Sequence, residues 1–283
     1  IKKRILEDEL TKLRVKHDLW YKAFERQELN KVWLDGKQYL MLSSNDYLGL
    51  GFDLRVKEAA REALDNWGTS PTGSRFANGS RYYHKEIEEQ VADFLGKEAC
   101  HVHAAGYLSC VAAVSCFVSK GDVALVDRNV HASLWEGLRL SMATIEKFGH
   151  NNPASLEEEL SYVDPERKKM IVTEGVYSME GHISPLDQIV EIGQRHDSFI
   201  VVDDAHGFGV LGSQGQGTAE HFGVSDSVDI ICGSFSKALA STGGFVAGDQ
   251  AVIDFLRTYS KQTIFSAAIN PTQAAIAGKA LEI

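Results

Sequence analysis

Lys237 stands in the sequence where a lysine can react with an aldehyde. It follows the apolar segment 229–234, which ends in glycine and serine, and it precedes the segment 238–244, which is rich in small residues. Burial at such a strand end disfavours the charged form of an amine and makes it a better nucleophile. A Schiff base with pyridoxal phosphate requires such an amine, although an isolated Ser-x-Lys pattern is also typical of a solvated lysine.

Asp203 and His206 could serve the same cofactor. Asp203 ends the β-branched segment 198–203, which predicts a carboxylate buried at the mouth of a strand. Burying that charge is costly without a partner, and the ring nitrogen of a pyridinium is one such partner. His206 could then donate to the phenolic oxygen of the ring. Metal ligation and loop capping are the alternatives that the Asp-Asp-x-His pattern leaves open.

Two further strand-to-helix junctions carry residues that suit a cofactor ring. His131 follows the apolar segment 123–130 and precedes a helical segment, where an imidazole can lie flat on an aromatic ring. Gly106 and Tyr107 open an apolar helix, so free backbone amides there could hold a phosphate while the tyrosine packs against the ring. A helix-capping histidine and an ordinary strand-to-helix turn are the alternatives.

The elements that must position these residues alternate along the chain. Amphipathic helices are predicted at 53–67 and 84–95, and short β-rich segments then alternate with helical or loop segments. This rhythm is typical of an α/β fold with a mainly parallel seven-stranded sheet and helices on both faces. The predicted strands are 99–103, 123–126, 143–147, 170–173, 199–202, 230–232 and 244–247. Ligands of such sheets bind beyond the carboxyl ends of the strands, where the residues above gather.

Residues 1–50 are predicted to form an N-terminal arm, and residues 51–283 one large domain. The arm has helical apolar spacing over 3–28, followed by short strand-like segments at 32–34 and 39–41. The chain begins with Ile1 and stops inside a predicted helix that begins near Pro271. We therefore expect a fragment from which a small C-terminal domain is missing.

Composition excludes several classes of protein. The 283 residues include 29 Lys and Arg against 39 Asp and Glu, a net charge of −10 without a basic run, so nucleic-acid binding is not expected. No segment approaches the roughly 20 apolar residues that span a bilayer, and the charged N-terminus does not resemble a signal peptide. The four cysteines stand singly in apolar segments, which indicates a reducing cytoplasm rather than a zinc or disulfide framework.

Two short patterns point to other chemistry but lack its context. Gly207, Gly209 and Gly212 satisfy G-x-G-x-x-G, the fingerprint of a dinucleotide site, yet a flexible loop follows where that site needs a helix. An NAD-dependent oxidoreductase is therefore disfavoured. His101 and His103 face the same way on a predicted strand, but no third ligand is evident, so no metal site is predicted.

Five motifs in order resemble the α-oxoamine synthases, a family of fold-type I enzymes that use pyridoxal phosphate. The motifs occupy residues 44–50, 73–79, 173–181, 203–209 and 234–237. The resemblance covers almost the whole chain from about residue 40, and chance agreement of five ordered motifs is negligible. It implies condensation of an amino acid with an acyl-CoA thioester and loss of carbon dioxide, giving an α-amino ketone.

The resemblance also implies a role for each candidate residue. Lys237 is the Schiff-base lysine, Asp203 the partner of the ring nitrogen and His131 the histidine stacked on the ring; His206, a ligand of the ring oxygen, completes the catalytic set. The other implied cofactor ligands are Gly106, Tyr107, Ser178, Ser234, Ser236 and Thr263, and the implied substrate ligands are Asn45, Tyr47 and Arg75. The family usually forms a homodimer with a shared site, and segment 263–266 is the candidate to reach the neighbour's phosphate pocket.

Within the family, the residues around Lys237 favour the branch that acylates L-serine with a long-chain acyl-CoA. Ser236 precedes the lysine, where the branch that joins L-alanine to a pimeloyl thioester for biotin more often has glycine. Segments 133–137 and 150–152 also resemble the branch that makes amino-ketone autoinducers. Residues 108–110 depart from the family, which often has asparagine after the Gly-Tyr pair, and the carboxylate-binding arginine belongs to the missing domain.

One alternative belongs to a different class of protein. A catalytically silent partner subunit could keep the fold and bind another chain without performing any reaction. The presence of Lys237 together with Asp203 and His206 argues against that reading, because a silent subunit has no reason to keep all three.

Overall fold

The chain forms two compact units, residues 1–44 and residues 45–283. The structure is a computed structural model that describes residues 1–17 and 20–283. Within those residues, no helix combines the length and the apolar character that a membrane crossing requires.

The first unit contains two short helices and a small antiparallel sheet. The helices are α1 (Lys2–Glu7) and α2 (Glu9–His17), and the strands are β1 (Arg26–Glu28), β2 (Lys31–Leu34) and β3 (Lys37–Leu40) in that order across the sheet. The two predicted strands are therefore present, and the predicted helix over 3–28 is confirmed in α1 and α2 but is wrong at its end, where β1 lies. The extended backbone of Asp8 separates α1 from α2, and its carboxylate accepts the backbone N–H of Thr11 at 2.8 Å. Leu19, a further residue of that predicted helix, lies outside the described residues.

The second unit is built on a seven-stranded sheet. Its strands are β4 (Ala99–His103), β5 (Val123–Asp127), β6 (Thr144–Phe148), β7 (Lys169–Glu174), β8 (Ser198–Asp203), β9 (Ile230–Ser234) and β10 (Gly244–Gly248). Their order is β4-β10-β9-β8-β7-β5-β6. Strand β10 runs antiparallel to both of its neighbours, and every other adjacent pair is parallel. The predicted mainly parallel sheet is confirmed.

Helices cover both faces of this sheet. They are α3 (Leu54–Trp67), α4 (Tyr82–Leu95), α5 (Gly106–Ser115), α6 (Ala132–Ser141), α7 (Pro153–Ser161), α8 (Leu186–Arg195), α9 (Thr218–His221), α10 (Gln250–Tyr259), α11 (Lys261–Ile264) and α12 (Pro271–Glu282). Alternation along a strand assigns its side chains to opposite faces. On β8, Ile200 and Val202 pack in one buried cluster with Val91 of α4, whereas Val201 packs in another with Ala113 of α5. Both faces of the sheet are therefore core, as its near-continuous apolar strands require.

Local capping fixes the starts of two helices in the second unit, α3 and α12. Asp53 accepts the backbone N–H of Arg55 at the start of α3. Asn270 accepts the backbone N–H of Gln273 at 2.9 Å at the start of α12, where Pro271 takes the first helical position. Such caps satisfy amides that the helix itself leaves without partners.

Candidate active site

A cavity of about 680 Å³ opens at the carboxyl ends of the parallel strands in the second unit. It lies where an open α/β sheet binds its ligands. Eleven of the predicted site residues line it, namely Asn45, Tyr47, Gly106, Tyr107, His131, Ser178, Asp203, His206, Ser234, Ser236 and Lys237. The fold thus brings together residues from Asn45 to Lys237, which lie far apart in the sequence.

Lys237 reaches the cavity from the turn after β9. The side chain is half-buried, and the two preceding serines form a hydroxyl pair with an Oγ–Oγ distance of 2.7 Å between Ser234 and Ser236. The backbone N–H of Ser236 also donates to Ser234 Oγ at 3.1 Å. These bonds hold the turn and fix the backbone from which the lysine projects.

Asp203 and Asp204, adjacent in the chain, serve different parts of the structure. Asp203 lines the cavity, and its Oδ1 accepts the backbone N–H of Ala205 at 3.1 Å. Asp204 is buried, where both carboxylate oxygens accept hydrogen bonds of 2.7 Å from the backbone N–H and the hydroxyl of Thr218. Burial raises the pKa of Asp204 to about 6. Asp204 therefore supports the loop, while Asp203 is available to a ligand.

His206 is held by a tyrosine from the start of the second unit. The Tyr47 hydroxyl lies 2.7 Å from His206 Nδ1. Burial, followed by the nearby positive charge of Lys237, lowers the pKa of His206 to about 4. The imidazole is therefore neutral at neutral pH. When Tyr47 donates to Nδ1, the proton of the ring sits on Nε2 and can be donated to a ligand.

His131 caps helix α6 and also lines the cavity. Its Nδ1 lies 2.7 Å from Ser133 Oγ and accepts the backbone N–H of Ser133 at 3.3 Å. The histidine thus caps the helix, as the alternative interpretation predicts, and it lines the cavity as well. The ring of Tyr107 lies edge-on to His131, with centroids 6.4 Å apart, and its hydroxyl donates to Glu136.

Glu174 is a cavity residue to which the sequence motifs assigned no role. It ends β7 directly opposite Asp203 in the strand register, and it accepts the backbone N–H of His131. Burial, followed by the charge of Asp203, raises the pKa of Glu174 to about 8. An acid at the end of an apolar strand was the available signal, and it is the same signal that identified Asp203.

Replacing Glu174 with glutamine should reduce the loss of stability at alkaline pH. Because the pKa of Glu174 is raised in the folded state, the stability tied to its proton is complete below the unfolded value of about 4.3 and is lost as pH rises through about 8. Glutamine stays neutral and still accepts the N–H of His131. Thermal unfolding at about pH 6 and about pH 9 should show a smaller fall in Tm for the variant, by at least about 2 °C. Equal falls would contradict this.

Gly106 begins helix α5 at a point where the backbone touches β9. A Cβ atom at this position would lie 2.5 Å from Ser234 Oγ, so a larger residue would displace that serine. The free amides at the helix start add a site that favours anions. The Gly106 and Ser234 pair therefore forms a narrow, anion-attracting wall of the cavity.

Cys110 contacts Asp203 from helix α5 and belongs to segment 108–110, which departs from the family pattern. Its thiol donates to Asp203 Oδ2, with a sulfur–oxygen distance of 3.1 Å. Cys110, Asp203 and Cys232 place their ligand atoms within 4.8 Å of one another. A hydrogen bond with Cys232, followed by burial, raises the pKa of the Cys110 thiol well above its usual range. The group is therefore a thiol-supported carboxylate rather than a set of thiolate ligands.

Arg75 and Thr263 lie in a separate cluster that does not line the cavity. Arg75 forms two hydrogen bonds of 2.7 and 3.1 Å with the buried carboxylate of Glu88, which also pairs with His101 at 3.0 Å. Thr263 Oγ1 lies 3.1 Å from His103 Nε2. The resemblance had placed Arg75 at the substrate and Thr263 at the cofactor. Within this chain, both side chains contact buried residues, and their predicted ligand roles stay predictions.

The chain belongs to the aminotransferase class I and II family, whose sequence model matches residues 37–283. With the mainly parallel sheet and the lysine at its carboxyl edge, this membership confirms the predicted family resemblance.

Named relatives fall in two groups. The chain is 44% identical over 264 residues to a serine palmitoyltransferase of Sphingobacterium spiritivorum. The match covers 93% of this chain and 66% of the relative. It is 43% identical over 250 residues to 8-amino-7-oxononanoate synthase 2 of Bacillus subtilis (strain 168), covering 88% of this chain and 64% of that protein.

A solved structure extends the likeness to the fold. A serine palmitoyltransferase variant from S. paucimobilis, with a bound PLP–myriocin aldimine, matches with a TM-score of 0.94 at 31% identity. The match covers 99% of this chain and 72% of that one. The chain thus spans about two thirds of the length of the curated relatives named above.

Proposed function

We propose that this chain forms the cofactor-binding part of a pyridoxal-phosphate-dependent acyltransferase. The reaction joins the Cα of an amino acid to the carbonyl carbon of an acyl-CoA, and it releases carbon dioxide and coenzyme A to leave an α-amino ketone. The observation that carries the proposal is the convergence of Lys237, Asp203 and His206 on one cavity at the carboxyl edge of the sheet.

The residues of the cavity fit pyridoxal phosphate. The close approach of Gly106 to Ser234 and the amides at the start of α5 suit its phosphate. The buried carboxylate of Asp203 suits the ring nitrogen, and the amine of Lys237 suits the aldehyde carbon. When bound, the cofactor supplies an electron sink for the electron pair left on the substrate Cα.

Asp203 would hold a proton on the ring nitrogen. Its Oδ1 is oriented by the N–H of Ala205 and its Oδ2 by the thiol of Cys110, so the carboxylate is fixed before any ligand arrives. The acid beside it is largely neutral, because the pKa of Glu174 is about 8. Asp203 can therefore act without a second full negative charge next to it.

His206 and Ser178 would bind the phenolic oxygen of the ring. The neutral imidazole of His206 receives the Tyr47 hydroxyl at Nδ1 and donates from Nε2, which keeps one tautomer in place. His131 would lie against the ring face. Its N–H bond to Glu174 and its contact with Ser133 hold the backbone and the imidazole in position.

The proton transfer at Cα would fall to Lys237. Once free of the cofactor, its amine could accept the Cα proton of the substrate as a general base. The half-buried position keeps the amine at the cavity wall after release. This one side chain therefore both anchors the cofactor and moves the proton.

Serine and a long-chain acyl-CoA are the substrates we propose first. The serine palmitoyltransferase relative covers more of this chain than the 8-amino-7-oxononanoate synthase relative does, 93% against 88%. Ser236 before Lys237 favours the same branch. Alanine with a pimeloyl thioester is the second pair, because the identities of the two relatives differ by a single percentage point, 44% against 43%.

We extend the proposal to a cytoplasmic homodimer. Phe265, two residues after Thr263 in segment 263–266, is an apolar side chain that is 82% exposed, which suits a surface covered by a second copy. The four cysteines are free, which suits a reducing compartment. Reaching a neighbour's phosphate pocket would use the backbone and the exposed residues of this segment, since Thr263 itself is buried.

The test is a screen of the full-length protein against serine, alanine and glycine, each with acyl-CoA thioesters of several lengths. Release of carbon dioxide and of free coenzyme A is measured together, and the Lys237→Ala variant is the control. Release with serine and long chains supports the first pair, and release with alanine and pimeloyl-CoA transfers the assignment to the second. Failure of every pair in cofactor-loaded protein would overturn the acyltransferase and favour a silent subunit.

A further inference from the structure

His150 and His182 face each other outside the active-site cavity. His150 follows β6 and His182 lies in the loop between β7 and α8. His150 Nε2 is 3.0 Å from His182 Nδ1, and the two rings are nearly parallel, with centroids 5.2 Å apart. Neither residue lines the cavity described above. The pair therefore needs an explanation of its own.

Asp127 decides which nitrogen of His150 is free. This carboxylate, at the end of β5, is fully buried and accepts the backbone N–H groups of Asn129 and Asn151, each at 2.8 Å. His150 Nδ1 lies 3.1 Å from the same carboxylate and so carries the hydrogen that is donated to it. The lone pair of His150 is consequently on Nε2, and it points at His182.

Two imidazole nitrogens 3.0 Å apart must have either one proton or one cation between them. A tetrahedral zinc ion with Zn–N bonds of about 2.0–2.1 Å would place its two nitrogens about 3.4 Å apart. The exposed side chain of His182 can make that small adjustment. A histidine oriented by a buried carboxylate is also the arrangement that commonly supports a metal-bound imidazole.

A second observation at the same place is a buried oxygen without a hydrogen bond. In the part of the chain that the structure describes, Asn151 Oδ1 is buried and has no partner. The amide nitrogen of the same side chain donates to the carbonyl oxygen of Ile183 at 3.0 Å. Ile183 directly follows His182 in the chain. An amide oxygen left in this way is costly, and it is one of the groups that bind cations.

We propose that His150 and His182 form a binding site for a divalent transition metal of the zinc class. Asp127 orients His150, Asn151 links the segment of His150 to that of His182 through the carbonyl of Ile183, and water completes the coordination. The imidazole donors select Zn²⁺, Co²⁺ or Ni²⁺ over Mg²⁺ and Ca²⁺, which prefer oxygen ligands. The site is separate from the cofactor chemistry and does not depend on the proposed reaction.

The test is calorimetric titration of Zn²⁺ into full-length, cofactor-loaded protein in a buffer that does not chelate metals. We expect one Zn²⁺ per chain, and we expect His182→Asn to weaken its affinity at least about tenfold. Asparagine can still donate to His150 Nε2, so this variant keeps the contact while losing the ligand. His196→Asn is the matched control: His196 also pairs with a carboxylate, Glu157 at 2.8 Å, and its replacement should leave the affinity unchanged.

Titration with Co²⁺ identifies the ligands. Nitrogen and oxygen ligation gives weak visible bands, whereas ligation by Cys110 or Cys232 would give an intense near-ultraviolet band. Equal Zn²⁺ affinity in the parent and His182→Asn, no binding at about millimolar Zn²⁺, or a thiolate band would each overturn the proposal. Should His182→Asn lose its circular dichroism signal, His182→Gln is measured in its place, with the same expected loss.

Discussion

Replacing Lys237 with alanine should reduce turnover by at least about 10³-fold while the fold stays intact. The substitution removes both the anchor of the cofactor and the base for the Cα proton. The fold should survive because the lysine is half-buried at a cavity wall, whereas the core lies in the apolar clusters on the two faces of the sheet. Carbon dioxide release measures turnover, the visible absorption of bound cofactor measures its attachment, and circular dichroism measures the fold.

The lysine that binds the cofactor can be identified by chemical labelling. Borohydride reduction of the cofactor-loaded parent, followed by peptide mapping, should label Lys237. Lys168 is the matched control, because this exposed lysine directly precedes β7 at the opposite, amino edge of the sheet. It should carry no label in the parent, and Lys168→Ala should keep the parental turnover. A label on any other lysine, or a Lys237→Ala variant with parental turnover, would show that the cavity has been assigned to the wrong chemistry.

The site could be predicted from the sequence because parallel strands end at one edge of a sheet. Asp203 ends β8 and Lys237 follows β9, so predicting two neighbouring strands was enough to predict that these side chains lie close together. Most strand boundaries were accessible because the apolar segment is bounded by polar residues or glycine, as Asp122 and Asp127 bound 123–126. The first strand of the sheet, Ala99–His103, has the predicted limits.

Other features depend on contacts between distant segments and could not be predicted from local patterns. The Cys110 thiol reaches Asp203 across 93 positions of sequence, and only the packing of α5 against the sheet brings the two together. Arg75 lies in a family motif, but its partner is Glu88 of α4, and a bond of 2.7 Å to a buried carboxylate sets its direction. The helical spacing in residues 3–28 was misleading at 26–28, because pairing with the following strand β2 makes this segment strand β1.

Asp203→Asn should lower turnover by about 10²–10³-fold while part of the cofactor remains bound. An amide cannot hold a proton on the ring nitrogen, so the electron sink is weakened at the step that needs it. The amide oxygen can still accept the N–H of Ala205, but its NH₂ group would then face the thiol of Cys110, which now donates to Oδ2. Turnover is measured per bound cofactor, so weaker binding is not mistaken for slower chemistry.

Asp204→Asn separates this role from a structural one. Asp204 is adjacent in the chain and equally buried, but its oxygens accept the N–H and hydroxyl of Thr218 rather than facing the cavity. Its amide variant should lose about 1–3 kcal/mol of unfolding free energy and keep most of its turnover per bound cofactor. Asp203→Asn should show the reverse pattern. If both variants lost stability alike and kept their turnover, Asp203 would be a second structural carboxylate, and the ring nitrogen would need another partner.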